Sequence, residues 1–437
     1  MESSETAGER ALTKLRIQLD LIAEAFGEES FGTKFFEDGT LDYLYVRGVI
    51  LVRDAYLADV ARLLDEEDEE EERGQEFVPV AGLLPGVSLF SVGERDVPRL
   101  LDKIDARLGE GIATPDHILS VTPVHPCPAT EPRGVPDHSL PSPGPCAGSG
   151  SGTFIYVADT GLLDGAAAAH PWLAGVTGTE DPLDHQGGVT RIPEYGGHGT
   201  FIAGVARCMA PAARVVVTRD FDKAGAISEH KIVRRLREAL RLAPDVINLS
   251  AGGTTRKDLP LLGFEAFWET YRHYTGLVLV ASAGNNSTRR PFWPAAFPDV
   301  VGVGALAANG RARAYFSDYG PWVDVYALGE DLVNAYATGT YQYREPPHIG
   351  SYHHFEGMAS WSGTSFSAPL VAGLIAARIT RTGENGRQAA SSLLAQARAQ
   401  HLAGVGPVLW PCDTGDCGDR LACCCGGKHQ VARDCCC

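Results

Sequence analysis

Two textures of hydrophobic patterning divide this chain. Up to about residue 121, apolar positions alternate between helical and strand spacing within short segments. Leu12, Leu15, Ile17, Leu19, Leu21 and Ile22 mark one amphipathic helix over Ala11–Phe26. Strand-like patterning then covers Tyr43–Val52, Phe77–Ala81 and Val87–Val92, with helical spacing over Ala55–Leu64. Asp96 is placed to cap a helix running through Leu108, and His117–Val121 reads as a last short strand. This order predicts a small α+β domain over residues 41–121, preceded by a helical extension, 1–40.

From Thr153 the pattern changes to continuous apolar runs separated by helices. The runs are Thr153–Ala158, Arg214–Thr218, Asp245–Leu249, Gly276–Ala281, Asp299–Gly304 and Trp322–Ala327. Amphipathic helices are expected over Ile227–Leu242 and Gly263–Tyr274. Unbroken apolar strands alternating with helices predict an α/β domain, 153–402, whose mostly parallel sheet carries helices on both faces. Functional residues in such sheets gather beyond the carboxyl ends of the strands. Between the two textures, residues 122–152 are rich in Pro, Gly and Ser and read as an extended linker open to proteolysis.

Charge and cysteine content refine the division. The formal net charge is −17. Residues 1–120 contribute −15 of it and the rest −2, so the acidity belongs to one segment. The run Asp65–Glu72 reads as a solvated loop. No basic footprint suggests nucleic acid as a partner. No apolar run of about 18 residues predicts a membrane span. The charged N-terminus lacks a signal-peptide core, which places the chain in the cytoplasm as first made. Of 11 cysteines, eight fall between Cys412 and Cys437, in a tail taken as 403–437. The tail lacks a CxxC pair, leaving an unstructured extension or a soft-metal or redox segment as alternatives.

Four stretches carry chemistry. Asp159 follows the strand Phe154–Ala158 and precedes Thr160-Gly161; it forms either an ordinary turn or a carboxylate fixed at a strand end. His198, in Gly196-Gly197-His198-Gly199-Thr200, opens an apolar helix, and the glycines around it demand a reason. Asn285 ends Ala281-Ser282-Ala283-Gly284, either as a turn residue or as a side-chain donor facing a cleft. Ser365, in Gly363-Thr364-Ser365-Phe366-Ser367-Ala368-Pro369, sits at the start of an apolar helix, as an N-cap or as a nucleophile. Pro369 is read as a first-turn proline.

Taken together and in this order, the four stretches resemble the subtilisin-like serine proteases, or subtilases. Asn248-Leu249-Ser250-Ala251-Gly252-Gly253 is similar to that family's substrate-binding strand. Phe201 and Phe366 replace a histidine and a methionine common in the family, both with apolar side chains.

The resemblance implies a serine endopeptidase. Ser365 would be the nucleophile, His198 the general base, Asp159 the group that orients it, and Asn285 an oxyanion donor. Ser250, Ala251, Gly252 and Gly284 would bind an extended peptide or protein substrate. No cofactor is required. The family often binds calcium structurally, and no acidic loop here maps to such a site. His348, His353 and His354 lie in an aromatic insertion, Tyr336–Trp361, expected to shape the cleft rather than hold a metal. A histidine base titrating in the ordinary range makes activity rise through roughly pH 6.5–7.5.

By element order, residues 41–121 resemble the family's propeptides and would act as an intramolecular inhibitor released by a cut within Val121–Gly152. The alternative is a permanently attached regulatory domain. For the whole chain, the alternative is a peptide-binding pseudoprotease without activity.

Overall fold

The computed structural model describes residues 7–68, 79–121, 130–145, 149–222 and 224–411. Cys127, Cys146 and the cysteine-rich tail from Cys412 lie outside them, as does the acidic run beyond Asp68.

The first unit comprises α1 (Ala7–Phe26), β1 (Phe31–Phe35), β2 (Leu41–Arg53), α2 (Leu57–Asp68), β3 (Pro79–Leu84), β4 (Val87–Ser91), α3 (Val97–Leu108) and β5 (Ala113–Ser120). Its antiparallel strands run in the order β5-β2-β4-β3, with β1 added on β2. Ile50, Val52, Phe90 and Val92 from the sheet pack on Val60, Leu64, Leu101 and Ile104 from α2 and α3. Asp96 caps α3 by accepting from the Arg99 N–H at 3.0 Å, as its sequence position predicts. Helix α2 continues to Asp68, into the acidic run expected to be a loop. Glutamate is a good helix former, and an established helix propagates more readily than it starts.

The second unit continues with β6 (Phe154–Asp159), α4 (Ala166–Ala169), β7 (Thr177–Gly178), β8 (Asp184–Gln186), β9 (Val189–Ile192), α5 (His198–Met209), β10 (Arg214–Arg219), β11 (Ala226–Ser228) and α6 (Glu229–Leu240). It is completed by β12 (Val246–Leu249), α7 (Leu262–Tyr271), β13 (Val278–Ser282), β14 (Val300–Leu306), β15 (Val325–Leu328), β16 (Leu332–Gln342), β17 (Tyr352–Trp361), α8 (Thr364–Thr382) and α9 (Gly386–Ala399). Seven parallel strands run β15-β14-β13-β12-β6-β10-β7. Its α/β architecture, a mostly parallel sheet with helices on both faces, matches the sequence expectation. Helices α5 and α8 cover one face through Phe201, Val205, Leu370 and Leu374. On the other face, α6 and α7 contribute Ile232, Leu236, Phe264 and Phe267.

Two differences from the sequence reading matter for the site. The helix expected from Ile227 begins at Glu229, because Ala226–Ser228 pairs antiparallel with Ile118–Ser120 of β5. A strand of the second unit thus extends the sheet of the first. Part of the expected linker is also held fast. Arg133 exchanges two 2.8 Å backbone bonds with Ser360 of β17, and Ser142 pairs with Val333 of β16. The carboxylate of Glu131 accepts from the Arg344 N–H (2.7 Å) and the Tyr341 hydroxyl (3.1 Å). Proline-rich sequence rules out helix but not edge pairing through its non-proline residues.

Candidate active site

Strand β6 sits where the sheet order reverses, with β10 on one side and β12 on the other, so a crevice opens at its carboxyl end. Asp159 is the last residue of β6. Its Oδ1 accepts from the Thr160 N–H at 2.8 Å and lies 2.7 Å from Nδ1 of His198. Both side chains are fully buried.

The glycines around His198 have steric causes. Gly197 precedes α5 at φ 84°, where a side chain would be strained and would crowd Tyr336. A Cβ on Gly199 would stand 2.4 Å from the carbonyl oxygen of Gly161. Helix α5 can therefore approach the turn after Asp159 only with glycine there. Asp181 braces the same turn, accepting from the Gly197 N–H at 2.7 Å and the Thr160 hydroxyl at 3.1 Å. Burial raises its pKa to about 6.

Ser365 is the second residue of α8. Pro369 stands inside this helix, beyond the first turn where sequence reading put it. A proline there has no N–H to give to the carbonyl four residues earlier, which is that of Ser365. The hydroxyl of Ser250 fills the gap, donating to Ser365 O at 2.8 Å while accepting from Asn248 Nδ2 at 2.9 Å. The side chain of Ser250 therefore serves the serine turn.

Asn285 uses Oδ1 to accept the Thr364 N–H at 2.8 Å, which leaves its NH2 group as the donor. The Gly284 N–H donates to the Thr364 hydroxyl at 3.2 Å, and the two turns interlock. Asp318, which sequence reading missed, fixes the asparagine turn from behind. Its N–H donates to the Gly284 carbonyl at 2.9 Å, and its Oδ1 accepts from the N–H groups of Asn286 and Thr288, both at 2.9 Å. Burial raises the Asp318 carboxyl to about 8. A Cβ on Gly284 would lie 2.3 Å from Asp318 Oδ2, so glycine is the residue that fits. Nothing in the local sequence around Asp318 signals this contact.

The imidazole of His198 packs edge-on to Trp361 at 5.6 Å and against Phe366 at 5.4 Å, and Phe201 lies 4.5 Å from Phe366. These are centroid distances in an aromatic wall of fully buried side chains. Trp361 is itself roofed by the held segment, donating Nε1–H to Thr130 O at 2.7 Å.

The remaining wall of the crevice is the edge formed by Ser250–Gly253 on one side and Gly225–Ser228 on the other. Strand β5 fills it. Ser120 and Gly252 exchange two backbone bonds of 3.0 Å, and the Val121 N–H donates to Gly225 O at 2.8 Å. The Ser365 hydroxyl then faces the Val121 carbonyl at 3.4 Å, while His198 Nε2 is buried with no hydrogen-bond partner among the described residues. Of the residues expected to bind a peptide, Gly252 pairs with this strand. Ser250 and Gly284 support the adjoining turns, and Ala251 is buried between Ser250 and Gly252. Gly225 and β11 form the opposite edge, which the sequence did not reveal.

No group of three His, Cys, Asp or Glu side chains able to hold a metal occurs among the described residues, including around His348, His353 and His354. No helix among these residues is long and apolar enough to cross a membrane.

Known proteins are similar to this chain. The chain is 31% identical over 274 residues to a thermophilic serine proteinase of Bacillus sp. (strain AK1), covering 59% of this chain and 58% of that protein. It is 32% identical over 237 residues to thermitase of Thermoactinomyces vulgaris, covering 52% of this chain and 74% of that protein. Among solved structures, it superposes on fervidolysin from Fervidobacterium pennivorans, a keratinolytic enzyme related to subtilisin. That likeness has a TM-score of 0.56 and 21% identity, covering 85% of this chain and 61% of the other, and it concerns the fold. The sequence model of the Subtilase family matches residues 150–401, which hold Asp159, His198, Asn285 and Ser365, and the chain belongs to that family.

Proposed function

We propose that this protein is the precursor of a serine endopeptidase, and that residues 41–121 are its intramolecular inhibitor. Ser365 Oγ attacks the scissile carbonyl as His198 Nε2 takes its proton. Asp159 holds the ring by Nδ1 and stabilises the imidazolium. The Asn285 amide and the Ser365 N–H stabilise the oxyanion. His198 then protonates the leaving amine, and water hydrolyses the acyl-enzyme by the same route. No cofactor enters these steps.

The observation that carries this reading is the seat of β5. A strand that pairs with Gly252, is covered by β11 and brings a carbonyl to 3.4 Å from Ser365 Oγ lies as an extended peptide substrate would. It also blocks that place. Because Val121 is at the nucleophile and Thr130–Arg133 are tied to β17, the releasing cut falls between Val121 and Thr130. The test is labelling by a serine-reactive phosphonate. Matured protein is labelled and Ser365→Ala is not; absence of label in folded, matured protein would favour a peptide-binding pseudoprotease.

A further inference from the structure

Resting on that reading, we propose that the matured cleft selects peptides with acidic side chains N-terminal to the scissile bond, and that Arg256 and Lys257 are the residues that select them.

Both cations lie on the loop that follows the edge Ser250–Gly253, and their ion pairs all lead to the N-terminal unit. Arg256 pairs with Asp102 and, at 2.8 Å, with Asp105. Lys257 pairs with Asp105 and Glu110, both at 2.7 Å. Release of the N-terminal unit removes every one of these carboxylates together. Arg290, beside the same edge, behaves differently. It pairs with Asp42 of the N-terminal unit at 2.8 Å but also with Asp258 of its own unit at 2.7 Å, so it remains neutralised. Two further acids of the catalytic unit touch the N-terminal unit. Glu265 on α7 is paired with Arg53, and Glu229 is buried at the start of α6, where burial holds its carboxyl well above the usual range. Arg256 and Lys257 are thus cations left uncompensated by the departing domain, while Glu265 on α7 loses Arg53 in the same event.

The loop has a shape of its own. Lys257 and Asp258 occupy left-handed backbone conformations at φ 57° and 56°. The Asp258 N–H donates to Thr255 O at 3.1 Å, and the Thr255 hydroxyl to Leu259 O at 2.6 Å. These bonds are internal to the second unit and survive release.

The register places the loop beside a substrate. The Arg256 N–H donates to Nε2 of His117 at 3.2 Å, and His117 stands three residues before Ser120, the residue paired with Gly252. A peptide replacing β5 therefore carries its residues about four to six positions before the cut past Arg256 and Lys257. The N-terminal unit is the acidic segment of the chain, and four of its carboxylates, Asp42, Asp102, Asp105 and Glu110, meet this one surface. It presents the charge that the substrate would supply. Charged contacts at the rim of a cleft contribute selectivity and association rate more than tight binding, and they weaken with salt.

The experiment uses protein matured from the full chain and quenched peptides of one sequence around the cut. Positions four to six before it carry Asp and Glu, Asn and Gln, or Lys. Acidic peptides are expected to be cleaved about tenfold faster in kcat/KM than the amide series at low ionic strength. That ratio should fall toward unity in roughly 0.5 M salt, where the screening length is only a few ångströms. The double substitution Arg256→Glu and Lys257→Glu should shift the preference to the Lys series. Equal rates for acidic and amide peptides in wild-type protein, or an acidic preference unchanged by the double substitution, would overturn the proposal. Should the doubly substituted chain fail to mature, the wild-type comparison and its salt dependence decide the question by themselves. Failure of the parent reading looks different, because no series is cleaved and no serine label is incorporated.

Discussion

The carbonyl oxygen of Val121 and the hydroxyl of Ser365, 244 positions apart in sequence, meet at 3.4 Å. One residue closes the N-terminal unit and the other stands in the first turn of α8. Their meeting follows from two edges accepting the same strand, Gly252 on one side and β11 on the other. The chain leading to Val121 therefore lies in the crevice beside the serine turn.

The first prediction concerns maturation. Wild-type protein should lose its N-terminal unit and show a new N-terminus between residues 122 and 130 on sequencing. Ser365→Ala should remain full length. Fully active protein that still begins at Met1 would contradict the inhibitory role.

A second concerns the carbonyl that Pro369 leaves without a helical donor. Ser250→Ala removes the hydroxyl that satisfies Ser365 O, and stranding a buried acceptor costs about 1–3 kcal/mol. The loss should appear as a lower Tm and a lower kcat/KM. Pro369→Ala supplies an N–H to the same carbonyl, so the double variant should be less destabilised than Ser250→Ala alone. Simple additivity in that cycle would show that the two residues do not share the acceptor.

A third follows from Asp318. Its folded pKa, near 8, lies above the ordinary carboxyl value, so the folded chain holds a proton that the unfolded chain releases between about pH 4 and pH 8. Stability from this group is complete below that window and falls as pH rises through it, by at most about 1.4 kcal/mol per pH unit. Asp318→Asn stays neutral and should lose less stability than wild type between pH 5 and pH 8. Parallel Tm profiles for the two proteins would show that Asp318 is ionised throughout.

A fourth tests the asparagine turn. Asn285→Ala should lower kcat by about 10²–10³, the range known for such donors in this family, with KM little changed. Asp318→Ala should lower kcat in the same way, because it frees the turn that carries Asn285, and Asp318→Asn should restore much of the loss. A change in KM alone would assign both residues to substrate binding.

The sequence by itself determined the family and the layer architecture, and it named the candidate residues. Asp159, His198, Asn285 and Ser365 each lie in a short stretch whose local constraints, such as a strand end or a helix start, are written in neighbouring residues. The parallel sheet was legible for a similar reason, since strands buried on both faces must be apolar throughout. Contacts across the domain boundary had no such local mark. Ile227 has the spacing of a helix and becomes strand because Leu119 pairs with it. The segment Thr130–Pro145 reads as linker and is held because β16 and β17 offer it open edges. Asp318 is an ordinary Asp beside Tyr319 until the turn carrying Asn285 folds over it. Edge pairing and the burial of single polar groups depend on backbone donors and acceptors that nearly every residue carries alike. Only the tertiary structure decided which of them would meet, including the strand that brings Val121 to Ser365.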